Sequence, residues 1–180
     1  MKLSLFSDAR RALLVLAAVL GLVFGVTAAP AQAESRTYDF TFKIHPRHAP
    51  DMCLEVADWS KENGAAVRQW PCHDGPNQKW RKYYMTGSST GPYWYVNVNS
   101  GKCLEIRDWA TYDGAVADQW DCHYGANQTW YGNSGLIYPS FEYAASKCLE
   151  IADWSLSAGA PARLWSCTGG ANQSFNFEFA

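Results

Sequence analysis

The side chains in this chain that could do chemistry are six cysteines, four histidines and seventeen carboxylates. The cysteines form three pairs, Cys53 and Cys72, Cys103 and Cys122, and Cys148 and Cys167, each 19 positions apart. An even set of this kind in an exported chain favours disulfides over metal ligation or redox work. With every cysteine bridged, no thiol nucleophile remains. Glycoside hydrolysis would need two carboxylates held about 5 to 9.5 Å apart in one cleft. Here the acids recur in threes, as Glu55, Glu105 and Glu150 and as Asp58, Asp108 and Asp153, and do not converge as one asymmetric pair. His73 and His123 hold equivalent places, but Thr168 stands at the third, and His45 and His48 lie outside the pattern. They read as exposed loop residues. No catalytic residue, metal or cofactor is expected.

These residues belong to an internal repeat, which governs any reading of the elements. Its copies are CLEVADWSKENGAAVRQWPCHDGPNQKW from Cys53 to Trp80, CLEIRDWATYDGAVADQWDCHYGANQTW from Cys103 to Trp130, and CLEIADWSLSAGAPARLWSCTGGANQSF from Cys148 to Phe175. The steps between copies are 50 and 45 residues, the difference lying in the connections, where insertions cost least. Apolar Tyr38, Phe40, Phe42 and Ile44 alternate with Asp39, Thr41 and Lys43, and Phe175, Phe177 and Phe179 alternate likewise. Period-2 patterning predicts strands, and these two should pair and close the molecule. Leu54 and Val56, Leu104 and Ile106, and Leu149 and Ile151 should face the core. Gly64, Gly114 and Gly159 mark turns into returning strands that carry Trp70, Trp120 and Trp165. Three repeats of about four strands predict an all-β, pseudo-threefold β-trefoil, with repeats at roughly 38–85, 86–135 and 136–180.

Six cysteines allow fifteen pairings, and respect for the repeat leaves two: within copies, or from each copy to the next with Cys53 joined to Cys167. Setting Cys53 opposite Cys72 on antiparallel strands places Glu55 opposite Trp70, Glu105 opposite Trp120 and Glu150 opposite Trp165. Each acid would then share the outward face with its tryptophan. This register favours the within-copy pairing. Each bridge would contribute on the order of 3 kcal/mol by restricting the unfolded chain.

The N-terminus begins with Lys2, Arg10 and Arg11, continues uncharged from Ala12 to Ala33 and ends in Ala31-Gln32-Ala33. That is the pattern of a secretory signal peptide over 1–33, with Arg10-Arg11 a weak pointer to twin-arginine export. A retained anchor is the other reading. Removal would leave 147 residues, 34–180, as a single secreted domain with 12 basic and 16 acidic side chains. Without a basic run, nucleic acid and membrane surfaces are poor partners.

The repeated C-L-E-[VI], the glycine about ten positions on, the tryptophan two before the second cysteine and the closing Asn-Gln-x-[Trp/Phe] together resemble the ricin-B repeat. That family includes galactose-binding lectin chains and xylan-binding modules of bacterial glycosidases. The resemblance covers all three copies, with Phe175 replacing the last tryptophan. It implies a β-trefoil with the disulfides Cys53–Cys72, Cys103–Cys122 and Cys148–Cys167 and up to three shallow sugar pockets. The expected ligand is a polysaccharide or glycan, galactose- or xylose-containing by resemblance, bound by a monomer. Trp70, Trp120 and Trp165 would stack on sugar rings, whose C–H faces an electron-rich indole attracts. Asn77, Asn127 and Asn172 would bond hydroxyls, Gln78, Gln128 and Gln173 would orient the acids, and Trp80, Trp130 and Phe175 would fill the core.

Two departures bear on the pockets. The sugar-holding Asp of the family is Glu55, Glu105 and Glu150 here, and a Gln two before the stacking Trp is Arg68, Asp118 and Arg163. In the register above, Arg68 and Arg163 lie diagonal to Glu55 and Glu150, and Asp118 lies opposite Arg107. The pairs either fill the pockets or form a charged rim for sugar hydroxyls. Trp59, Trp109 and Trp154 are expected to plug the barrel wall in preference to forming a second stacking surface, and Asp58, Asp108 and Asp153 to cap the adjacent turn. The rival to a lectin is a β-trefoil protein-binding factor or protease inhibitor using the connection from Arg81 to Lys102, although its Trp94 and Tyr95 read as strand residues.

Overall fold

The computed structural model describes residues 36–85, 91–141 and 146–180, so the expected signal peptide lies outside the described residues. Twelve strands run in chain order: β1 (Arg36–Pro46), β2 (Met52–Val56), β3 (Ala65–Pro71), β4 (Trp80–Met85), β5 (Tyr93–Asn97), β6 (Cys103–Ile106), β7 (Ala117–Trp120), β8 (Trp130–Asn133), β9 (Leu136–Pro139), β10 (Lys147–Ile151), β11 (Ala162–Ser166) and β12 (Phe175–Phe179). That is four per copy. The terminal strands pair as their alternation predicts, with Ile44 opposite Phe177 and Pro46 opposite Phe175. β1 also pairs β4, and β4 pairs β5.

The second and third strands of each copy form a hairpin, β2–β3, β6–β7 and β10–β11. The hairpins brace one another in a ring. Gly64 N–H donates to the Gln119 carbonyl at 2.8 Å, Gly114 N–H to Leu164 at 2.8 Å and Gly159 N–H to Gln69 at 2.8 Å. The three glycines hold φ of +79°, +92° and +88°, a region closed to most side chains. Gln69 and Gln119 tighten the ring through their amides, Gln69 to the carbonyls of Ser155 and Ser157 and Gln119 to those of Ser60 and Glu62. Copy three has Leu164 at this position, and Asp113 serves that side of the ring, accepting from Ser166 N–H at 2.7 Å and pairing with Lys147.

Leu54, Val56, Leu104, Ile106, Leu149 and Ile151 meet Trp80, Trp130 and Phe175 in one fully buried cluster. Each such side chain contributes about 1.5–3 kcal/mol by leaving water. Trp80 and Trp130 satisfy their indole N–H on the carbonyls of Leu54 and Leu104. The disulfides are the within-copy ones, Cys53–Cys72, Cys103–Cys122 and Cys148–Cys167.

The hairpin register differs from the expected one by two residues. Cys53 faces Trp70 and Glu55 faces Arg68; in the other copies Glu105 faces Asp118 and Glu150 faces Arg163. The reason is that the second cysteine lies past the end of the returning strand, where Cys72 N–H bonds back to the Asp51 carbonyl. The bridge therefore closes at the mouth of the hairpin, with Cα atoms 5.0 Å apart, outside the ladder.

Candidate functional site

Each hairpin carries one constellation of polar groups, built from the C-L-E strand, the returning strand and the short 3-10 turn that contains Asn-Gln. In copy one, Glu55 Oε2 accepts from Asn77 Nδ2 at 3.2 Å and Gln78 Nε2 at 3.1 Å. Glu150 repeats this with Asn172 at 3.2 Å and Gln173 at 3.1 Å, and Glu105 with Asn127 at 3.2 Å and Gln128 at 2.8 Å. The Asn-Gln turn folds over the acid, so Glu55, Glu105 and Glu150 are only 2%, 4% and 4% exposed, not outward-facing as expected. Asn77, Asn127 and Asn172 also donate to the carbonyls of Val56, Ile106 and Ile151, and in all three the buried Oδ1 has no hydrogen-bond partner. A buried acceptor left in that state costs about 1–3 kcal/mol.

The cations distinguish the copies. Arg68 Nε donates to Glu55 Oε1 at 3.0 Å and its Nη2 to Asp58 at 3.0 Å; Arg163 does the same to Glu150 at 2.9 Å and Asp153 at 2.8 Å. Both guanidinium groups lie over an indole face, 4.4 Å from the Trp70 centroid and 4.3 Å from that of Trp165. One face of Trp70 and one of Trp165 are therefore taken. In copy two the arginine comes from the loop: Arg107 Nε donates to Asp118 Oδ2 at 2.6 Å and its Nη2 to the Gly64 carbonyl at 2.8 Å. Burial pushes the Asp118 carboxyl up to about 6 against the pull of Arg107.

Trp59, Trp109 and Trp154 are 50%, 53% and 55% exposed, which overturns the expected plug. Each sits at φ near +55°, following an aspartate that is also left-handed, a strained pair repeated in every copy. The turn lays each indole over a glycine backbone: a Cβ at Gly75, Gly125 or Gly170 would meet ring carbons of Trp59, Trp109 or Trp154 at 2.5, 2.8 and 2.6 Å. His73 stacks on Trp59 at 5.6 Å, and His123 on Trp109 at 6.2 Å. Their Nδ1 atoms accept from Gly75 and Gly125, which leaves the proton on Nε2, 3.7 Å from Glu55 and 3.5 Å from Glu105. Asp58 and Asp153 hold the arginines in place of the expected turn-capping bonds. A hollow of about 190 Å³ opens between Trp154, Trp165, Glu150, Arg163, Thr168 and Asn172. Its counterpart in copy two, about 210 Å³, lies between Trp109, Trp120, His123, Glu105, Arg107 and Asn127.

The model of the ricin-type β-trefoil lectin domain-like family matches residues 32–95 and 76–165. The chain belongs to this family. No curated protein matches it. Among solved structures, this ricin-type domain is similar to the designed threefold-symmetric protein ThreeFoil, with 31% identity, a TM-score of 0.69, and coverage of 79% of this chain and all of that one. It is similar also to the exo-β-1,3-galactanase 1,3Gal43A of Clostridium thermocellum, 28% identical at a TM-score of 0.69, but spans only 30% of that enzyme against 78% of itself. The C-half of the earthworm R-type lectin, solved with GalNAc, shares the fold at 18% identity, a TM-score of 0.63, and coverage of 79% and 100%.

The structure brings each expected group of the ricin-type site together: Glu55, Arg68, Trp70, Asn77 and Gln78; Glu105, Asp118, Trp120, Asn127 and Gln128; Glu150, Arg163, Trp165, Asn172 and Gln173. The arginines stand directly opposite their glutamates, not diagonal to them, and Asp118 stands opposite Glu105, with Arg107 reaching back from beyond the strand. Sequence reasoning ranked the second row of tryptophans as plugs ahead of a second stacking surface, and it missed the glycines beneath them. The recurrence of Gly75, Gly125 and Gly170 in all three copies was the available signal.

Proposed function

We propose that the protein is a secreted, non-catalytic carbohydrate-binding module that engages polysaccharide or glycan as a monomer through up to three repeat-encoded sites. The observation that carries this reading is the unpartnered, buried Asn Oδ1 in each copy, set in copies two and three on the wall of a hollow between two exposed or half-exposed tryptophans. Such a wall offers apolar faces to a ring and a fixed acceptor to a hydroxyl. The glutamates are poorly placed for acid catalysis, since each is buried under its Asn-Gln turn with one oxygen occupied by two amide donors. The galactanase and the GalNAc complex among the structural neighbours support a galactose-containing ligand; xylan stays in the panel because of the repeat pattern.

Shallow sites of this type bind near the millimolar level, about 4 kcal/mol each, so three on one chain gain avidity on a polymer. The test is retention of the purified protein on xylan, galactan, chitin and cellulose, and on a soluble glycan array. Single and combined Trp70→Ala, Trp120→Ala and Trp165→Ala changes are expected to lower retention stepwise. Well-folded protein that no glycan retains would transfer the site to a protein partner.

A further inference from the structure

The three sites differ in charge, and the difference has a geometry. In copies one and three a single guanidinium lies over an indole and ties two acids together, Glu55 with Asp58 and Glu150 with Asp153. Copy two keeps both acids, as Glu105 and Asp108, and keeps the indole, as Trp120, but the strand position that supplies the guanidinium is Asp118. Arg107 replaces it only in part: its Nε is engaged by Asp118 and its Nη2 by the Gly64 carbonyl, so it attracts Glu105 and Asp108 by charge without a hydrogen bond to either. Glu105, 96% buried and lining the hollow, is left with an Oε1 that has no hydrogen-bond partner among the described residues. Asp108, exposed on the rim, has no hydrogen bond or ion pair there either. Copy two thus sets Glu105, Asp108 and Asp118 against one arginine, where the other copies set two acids against one.

We propose that the copy-two hollow takes a cationic sugar, a protonated amino sugar such as a glucosamine residue, with its ammonium between Glu105 Oε1 and Asp108 over the Trp120 face. This rests on the carbohydrate-binding reading and narrows it to a ligand class for one copy. The ammonium occupies the position that the guanidinium holds in the other copies. It brings three donors to acceptor-only carboxylates in charge-assisted bonds, and the indole face attracts it. Asn127 Oδ1 remains free for a neighbouring hydroxyl. An N-acetylated sugar brings no charge to the same place.

The experiment follows the assigned indole N–H resonances of Trp70, Trp120 and Trp165 during titration with a glucosamine trimer and, separately, with its N-acetylated counterpart, at neutral pH, where Asp118 is ionised, and low salt. The charged trimer is expected to shift Trp120 at roughly fivefold lower concentration than the acetylated one, the order of one half-exposed charge pair. Asp108→Asn, which tolerates the positive φ at that position, should erase the preference. So should Asp118→Arg combined with Arg107→Ala, which rewrites copy two as copy one. Equal affinity of the two trimers at Trp120, or a preference that survives both variants, overturns the proposal and leaves the lectin reading standing. A trilysine peptide that shifts Trp120 as strongly as the trimer assigns the hollow to a protein cation and overturns it too. If no glycan, charged or neutral, perturbs any copy, it is the lectin reading that fails.

Discussion

Copies one and three hold a buried glutamate by giving it a permanent cation, whereas copy two buries a second carboxylate, Asp118, and supplies its cation from a loop. The backbone around these groups is the same in all three: the same register, the same left-handed Asp-Trp turn, the same Asn-Gln lid. One exchange, an arginine that moves from the strand to the loop, therefore redirects the electrostatics of a site without disturbing its frame. Where the guanidinium is built into the ladder, the site is an internally satisfied rim. Where it is not, the site carries carboxylate oxygens, on Glu105 and Asp108, that have no hydrogen-bond partner among the described residues.

The largest effect should come from removing the built-in cations. Arg68→Ala strands Glu55 under its lid and is expected to cost about 2 kcal/mol in urea unfolding at neutral pH, below the 3–5 of a fully buried pair because Arg68 is partly solvated. Arg107→Ala should cost clearly less at mildly acidic pH, since Asp118 can take a proton when its partner is lost. Equal losses at both sites and all pH values would erase the distinction between the copies.

Next in size is the pH dependence of copy two. The folded Asp118 carboxyl is raised from 3.8 to about 6, so the protonated form is the one that folding favours. Its contribution to stability is complete below the unfolded value and is lost as pH rises through about 6, by roughly 2 kcal/mol. Asp118→Asn should flatten the stability curve between the unfolded value of 3.8 and the folded value of about 6, read by urea midpoints. A slope unchanged by the substitution would assign the titration elsewhere.

The smallest effect sharpens the comparison. Asp58→Asn and Asp153→Asn each weaken an exposed ion pair and should cost less than about 1 kcal/mol. Asp108→Asn breaks no such pair and should be neutral or slightly stabilising, because it relieves repulsion with Glu105. Thermal midpoints of the three variants rank them, and a cost at Asp108 matching the other two would mean that Arg107 serves it after all.

The repeat made the fold legible. Leu54 with Val56 and their counterparts, three cysteine pairs in step and matched terminal aromatics left little room for another architecture. The site was legible as a set of residues but not as a geometry. Which side chain faces which depends on where the strand stops, and the assumption that Cys72 lies in the ladder displaced every partner by two. The burial of Glu55 escaped notice because alternation along a strand sees one face of a sheet and not the Asn-Gln turn that later covers the other. Trp59, Trp109 and Trp154 were misjudged because hydrophobicity argues for burial, while their exposure comes from a left-handed turn over Gly75, Gly125 and Gly170, which only the recurrence of those glycines announces.

The ring of hairpins has a consequence for how such a protein can change. Its closing bonds from Gly64, Gly114 and Gly159, like those from the Gln69 and Leu164 N–H groups to the Ala160 and Ala115 carbonyls, run from backbone to backbone and do not depend on which side chains the strands carry. Copy three shows this, keeping its place in the ring with Leu164 where the others use a glutamine. Selection or design can therefore change the site-lining side chains of one third of the molecule while the frame of the other two stays as it was.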